Sequence, residues 1–137
     1  VAFESSMFND LVLKDAMDLA SELKLDPDTK ISSLSKGQCG RLKLVLAMSR
    51  SAELVLMDEP LSGIDPPSRA AILETIADRY RAGEQTIIIS THEVLESEKL
   101  FEDVIFLSEG QIVLMGEADR LRAERGKSLN EIFAEVC

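Results

Sequence analysis

Residues 53–65 read Glu53-Leu54-Val55-Leu56-Met57-Asp58-Glu59-Pro60-Leu61-Ser62-Gly63-Ile64-Asp65. The apolar residues Leu54 to Met57 run into two adjacent carboxylates, and a proline stops the run. An apolar run this short, bounded by turn formers, predicts a β-strand buried on both faces. Two carboxylates at the end of such a strand cost stability unless something binds there. In open parallel sheets, ligands sit outside the carboxyl ends of the strands. One carboxylate to hold a hydrated metal and a second to handle water is an arrangement that phosphoryl-transfer enzymes use.

Downstream of that stretch, Asp65 before Pro66-Pro67 reads as a helix N-cap with proline in the first turn. The helix is expected to run to about Arg81, with Ala70, Leu73, Ile76, Ala77 and Tyr80 inward and Gly83 closing it. Thr86-Ile87-Ile88-Ile89-Ser90 predicts a second buried strand, completing a βαβ unit. It leads to Thr91-His92-Glu93, and His92 is the single histidine. A lone histidine is usually structural. At the carboxyl end of a parallel strand, beside the edge that carries Asp58 and Glu59, it becomes a candidate site residue. Val94–Leu100 predicts a short helix. Val104–Leu107 and Ile112–Met115, around Ser108-Glu109-Gly110-Gln111, predict a hairpin. Helices over 117–124 and from Ser128 onward follow, broken by Gly126; Ser128 with Glu131 forms a capping-box pattern.

Upstream, Val1-Ala2-Phe3 reads as the end of a strand and Glu4–Asp10 as a polar loop. Val12, Ala16, Leu19, Ala20 and Leu23 keep helical spacing, so a helix over 12–25 is expected, ended by Asp26-Pro27-Asp28. Leu34-Ser35-Lys36-Gly37-Gln38 contains a second capping-box pattern, Ser35 with Gln38. A helix from Ser35 to about Arg50 is expected, with Leu42, Val45, Leu46 and Ser49 on one face. A cap alone accounts for that spacing. Gly37 adds something else, because glycine in a first turn costs roughly 1 kcal/mol against alanine. A bare backbone there lets a phosphate approach free N–H groups at the positive end of the helix dipole.

The 137 residues fit one domain, long enough to bury roughly two thirds of its unfolded surface. Fifteen basic and 25 acidic side chains leave a net charge of −10. Non-specific nucleic-acid binding is disfavoured, because phosphate contacts need clustered Lys and Arg. Cys39 and Cys137 lie far apart and form neither a disulfide framework nor a metal pattern, which points to a reducing compartment. No stretch approaches the ~20 apolar residues of a membrane-spanning helix, and no signal peptide precedes the fold. The chain starts at Val1 rather than Met and reads as a piece of a longer protein.

Together these stretches resemble the nucleotide-binding domains of ABC transporters. Leu34-Ser35-Lys36-Gly37-Gln38 resembles the signature motif, with Lys36 where glycine is commoner. Leu54–Glu59 resembles Walker B with the adjoining glutamate. Leu61-Ser62-Gly63-Ile64-Asp65 is similar to the D-loop, and Thr91-His92 to the switch-histidine region. All four occur in the family's order, and the resemblance covers nearly all of the chain. Gly-x-x-x-x-Gly-Lys-[Ser/Thr], the phosphate-cradling pattern, is absent, since Gly37-Gln38-Cys39-Gly40-Arg41 does not fit it. No aromatic residue can be assigned to stack on adenine.

The resemblance implies an α/β fold: a partial P-loop NTPase core of RecA type with parallel strands, part of the helical signature subdomain, and a C-terminal β-hairpin plus helices. Residues 1–137 would be the C-terminal portion of one domain, with about 5–50 the helical region and 51–137 the second half of the core. Asp58 would bind Mg²⁺ through water, and Glu59 would polarise the attacking water. His92 would contact the γ-phosphate of ATP. Ser35, Lys36, Gly37 and Gln38 would form the nucleotide-binding signature, facing the ATP of a second ATP-binding domain. Asp65 would lie across that dimer interface. Glu4 stands near the Q-loop position, where glutamine is common, and is a further metal-site candidate. A transmembrane transporter subunit is the implied partner, and the cytoplasmic face of the cell membrane the implied location. In this family one strand lies between the His92 strand and the next. Without it two strand edges would stay unpaired. Two other readings stay open: a non-catalytic interaction module that cannot bind ATP alone, and a soluble ABC-type ATPase.

Overall fold

The computed structural model describes residues 10–137, so the readings of Val1–Phe3 and Glu4 lie outside the described residues. The elements are α1 (Leu13–Glu22), a 3-10 turn (Ile31–Ser33), α2 (Lys36–Met48), β1 (Leu54–Asp58), α3 (Pro66–Arg79), β2 (Thr86–Ser90), α4 (Val94–Ser97), β3 (Asp103–Ser108), β4 (Gln111–Glu117), α5 (Ala118–Arg125) and α6 (Leu129–Val136). They fall into two compact units, one ending at Thr91 and the other comprising His92–Cys137.

In the first unit, α1 packs on α2. Ala16, Leu19, Ala20 and Leu23 are buried from one side, and Leu44, Val45 and Met48 from the other. A backbone bridge between Leu11 and Arg50 ties the two helix ends. Arg50 Nε reinforces it with an ion pair to Asp10 Oδ2 at 2.9 Å. The inward face of α2 differs from the expected one, because Leu44 and Met48 are buried with Val45 and Ser49, while Leu42 and Leu46 are half-buried.

Helix α1 is shorter than its apolar spacing predicts. Lys24 adopts a left-handed conformation, φ 55°. Its N–H reaches the Ser21 carbonyl at 3.0 Å, and the Leu25 N–H reaches that of Ala20 at 2.8 Å. These two bonds are a Schellman cap, in which the last carbonyls are satisfied by backbone donors just beyond the helix. Pro27 therefore does not stop the helix, which is already closed at Glu22.

β1 and β2 pair in parallel over five residues, from Leu54 opposite Thr86 to Asp58 opposite Ser90. The predicted βαβ unit forms, but neither strand is buried on both faces. Val55 and Met57 are buried, while Leu54, Leu56 and Ile88 are 53%, 68% and 55% exposed. Successive strand side chains point to opposite faces, so cover on one face leaves alternate residues in solvent.

Asp65 caps α3 as expected. The helix ends at Arg79, where Tyr80 turns extended, rather than near Gly83. Gly83, with φ +78°, serves the following turn. The buried face of α3 is Ile72 and Ile76; Ala70 and Ala77, expected inward, are exposed.

In the second unit, β3 and β4 form the expected hairpin, with one register shift between Phe106 and Leu107. Glu109 and Gly110 hold φ of 49° and 77° in its two-residue turn. Positive φ at both positions matches the right-handed twist of the strands. One face of the hairpin packs on α5 and α6 through Phe106, Ala118, Leu121, Leu129 and Ile132. Phe106 and Phe133 stack with ring centroids 6.0 Å apart. The Ser128–Glu131 capping box is complete, and Gly126 ends α5 in the left-handed region. Helix α4 is a single turn rather than the seven residues expected.

Among the described residues the strands form two separate two-stranded sheets, β1–β2 and β3–β4. No described strand pairs with both β2 and β3.

Replacing Lys24 with glycine removes the left-handed strain of a side chain and adds freedom to the unfolded chain. The strain is the larger of the two, so Lys24→Gly is expected to raise stability by about 0.5 kcal/mol. Urea unfolding reads it; a fall in the midpoint would mean that the Lys24 side chain stabilises the fold.

Candidate functional site

The parallel register sets the site. Asp58 is the last residue of β1 and lies opposite Ser90, the last of β2. The Ser90 hydroxyl donates to Asp58 Oδ1 at 2.5 Å. The next backbone N–H, that of Glu59, donates to the Ser90 carbonyl at 3.0 Å and to Ser90 Oγ at 3.1 Å. Glu59 takes φ 45°, a left-handed conformation that non-glycine residues seldom adopt. Its side chain is half-buried, whereas Asp58 is exposed. Two consecutive carboxylates therefore leave the strand end in different environments, and one serine ties the Asp58 carboxylate and the Glu59 main chain.

The chain then runs through a loop anchored by two buried apolar residues, Leu61 and Ile64. The Ser62 N–H bonds the Glu59 carbonyl at 3.1 Å, and the Ile64 N–H that of Leu61 at 3.2 Å. Gly63, at φ +72°, supplies the left-handed step. Asp65 Oδ2 then accepts the Ser68 N–H at 3.1 Å and starts α3. The loop also touches α2, since a Cβ on Gly40 would sit 3.1 Å from Ile64 Cδ1.

The N-terminus of α2 carries Ser35, Lys36, Gly37 and Gln38. The expected capping box is present in both directions: Gln38 N–H to Ser35 Oγ at 3.2 Å, and Ser35 N–H to Gln38 Oε1 at 2.9 Å. A Cβ added to Gly37 would meet nothing within 4 Å. Packing within the chain therefore explains glycine at 40 but not at 37. His92 opens the second unit, is exposed, and lies 3.7 Å from Glu93 Oε1 through Nε2.

No cluster of three or more His, Cys, Asp or Glu suited to a metal occurs among the described residues. Magnesium needs no such cage, because it keeps several waters and is held by one or two carboxylates plus substrate phosphates. Asp58 fits that demand, as the Ser90 hydroxyl engages one of its two oxygens and the carboxylate is exposed. No described helix is long and apolar enough to cross a membrane.

Known proteins resemble this chain in sequence and in fold. Residues 19–98 match the family model described as an AAA domain, putative AbiEii toxin, type IV toxin–antitoxin system. The arginine transport ATP-binding protein ArtP of Haemophilus influenzae is 34% identical over 107 residues, 77% of this chain and 44% of that protein. A solved ATP-binding subunit of an ABC transporter superposes with a TM-score of 0.75 at 26% identity, covering 90% of this chain and 53% of that one. The chain belongs to the family of ABC ATP-binding domains. Its fold is that of the P-loop NTPase core shared by those cassettes. A dimeric bacterial ABC transporter cassette has the same fold at a TM-score of 0.65 and 20% identity. The chain spans about half the length of these relatives, or less.

Ser90, which bonds Asp58 and Glu59, was not singled out in the sequence. The signal was present. Two five-residue runs, Leu54–Asp58 and Thr86–Ser90, aligned in register bring the one closing hydroxyl against the one closing carboxylate.

Ser68 holds the Asp65 carboxyl below its ordinary value of 3.8, through its side chain first and its backbone N–H second. A depressed value means that the cap's contribution is complete above the ordinary value and is lost as pH falls through the lower folded one. An asparagine keeps a cap without the charge. Between about pH 5 and pH 2, the urea midpoint should therefore fall more steeply for the natural protein than for Asp65→Asn. Parallel curves would mean that the carboxylate form adds nothing to the cap.

Proposed function

We propose that this chain is the C-terminal portion of an ATP-binding domain that hydrolyses ATP for a membrane transporter, with residues up to about 50 the helical signature region and the rest the second half of the core. The observation that carries this reading is the adjacent Asp58 and Glu59 at the carboxyl end of a parallel strand, both bonded to Ser90. Asp58 would hold hydrated Mg²⁺, which neutralises charge on the β- and γ-phosphates when bound. Glu59 lies one residue beyond and is half-buried, so its carboxylate suits a general base that takes a proton from the attacking water. His92 would contact the γ-phosphate.

The start of α2 fits a second role. Its free N–H groups and dipole favour an anion, Gly37 leaves the backbone bare, and Lys36 adds a positive charge. We assign Ser35, Lys36, Gly37 and Gln38 to the γ-phosphate of ATP bound by a second ATP-binding domain, with Asp65 at the shared interface. The transporter's membrane subunit would hold the pair at the cytoplasmic face. Glu4 is retained as the Q-loop candidate.

In the full-length protein, Glu59→Gln should leave ATP binding intact and lower turnover by about 10²–10⁴-fold, the range of general-base contributions. Unchanged turnover would remove Glu59 from that role. The lack of a Gly-x-x-x-x-Gly-Lys-[Ser/Thr] segment in these 137 residues favours a second reading, a module that acts by pairing with another domain. Titrating the 137 residues with Mg-ATP separates the two. Tight stoichiometric binding would exclude the module.

A further inference from the structure

We infer that Ser90 is a positioning residue that sets the geometry of Asp58 and Glu59 together. Its hydroxyl bonds to both: it donates its proton to Asp58 Oδ1 and accepts the backbone N–H of Glu59. A hydroxyl can do this because it carries one donor and two acceptor lone pairs. Neither alanine nor valine carries a donor or an acceptor, so neither could serve both.

The consequences differ for the two carboxylates. For Asp58, the bond fixes one oxygen and leaves the other to face a hydrated ion. For Glu59, the bond acts on the main chain. The Glu59 N–H is shared between the carbonyl and the hydroxyl of Ser90, at 3.0 and 3.1 Å. That anchor sits on a residue held at φ 45°, a region that a non-glycine residue keeps only where its surroundings over-determine it. Ser90 thus helps to hold the left-handed step at Glu59.

The strand itself supports the assignment. Ile87, Ile88 and Ile89 precede Ser90, and β-branched apolar residues suit every interior position of a strand. A small polar residue closes the strand where the parallel partner ends in a carboxylate. The local anchor is a matter of hydrogen bonds alone, whereas its effect on metal and water rests on the ATPase reading of the site.

The test uses Ser90→Ala and Ser90→Thr in the full-length protein. Without nucleotide, hydrogen exchange at the Glu59 amide should quicken about tenfold in the alanine variant, the loss of one hydrogen bond of ordinary net strength. The threonine variant, which keeps the hydroxyl, should stay near the natural rate. In ATP turnover, the half-saturating Mg²⁺ concentration should rise about fivefold to tenfold in Ser90→Ala, with KM for ATP at saturating Mg²⁺ little changed and threonine restoring it. A merely structural role would lower the unfolding temperature and leave the Mg²⁺ dependence alone. Natural exchange and natural Mg²⁺ dependence in Ser90→Ala would overturn the inference. So would a threonine variant that behaves like alanine. Should Ser90→Ala not fold, Ser90→Cys keeps the size with a weaker donor and must show the same two effects in reduced form; natural values there also overturn it. If Glu59→Gln retains full turnover, the ATPase reading fails, and the exchange rates still decide the role of Ser90.

Discussion

Five residues of β1 lie in parallel register with five of β2, and that register places Asp58 opposite Ser90. A slip of one residue would turn every side chain to the other face. Val55 and Met57 would leave the core, and the serine would face Met57 or nothing at all. The hydroxyl–carboxylate bond and the shared Glu59 N–H close the end of the pair. From that point the chain can enter a left-handed step, cross Leu61 and Ile64 as buried anchors, and cap α3 with Asp65. The chemistry proposed for the site depends on this single alignment.

Both sheets have one apolar face in solvent. On β1 and β2 these are Leu54, Leu56 and Ile88; on the hairpin they include Ile105, Leu107, Ile112 and Met115. A two-stranded sheet is marginal on its own, and exposed edges invite further pairing. The continuous apolar runs of β1 and β2 are sequences for strands covered on both sides. The relatives of this chain are about twice its length or longer. The local sequence is thus consistent with a larger sheet than the described residues form.

Much of the fold was legible because its signals are local. Ser35 with Gln38 and Ser128 with Glu131 are capping boxes in sequence and in structure. Asp65 before two prolines begins a helix, and Glu109-Gly110 turns a hairpin. The misreadings have physical causes. Lys24 caps α1 in a left-handed conformation that sequence reading assigns to glycine. The buried face of α3 follows what packs against it, so Ile76 is buried as expected, Ile72 joins it, and Ala70 and Ala77 stay exposed. One-sided burial of β1 depends on what covers it, which no pattern within Leu54–Met57 can report. Among the proposed site residues, Asp58 and Glu59 come from one stretch, and His92 from its place after a strand. Ser90 was missed because its meaning arises only when two distant strands are aligned.

The central claim is that the metal of a bound nucleotide sits at Asp58. The most direct measurement replaces Mg²⁺ with Fe²⁺ on ATP in the full-length protein and adds peroxide, so that the backbone is cut beside the metal. The account predicts an ATP-dependent cut between β1 and α3, near Asp58 to Ser62, that disappears in Asp58→Asn. A cut confined to other segments, or one that persists unchanged in Asp58→Asn, would contradict it.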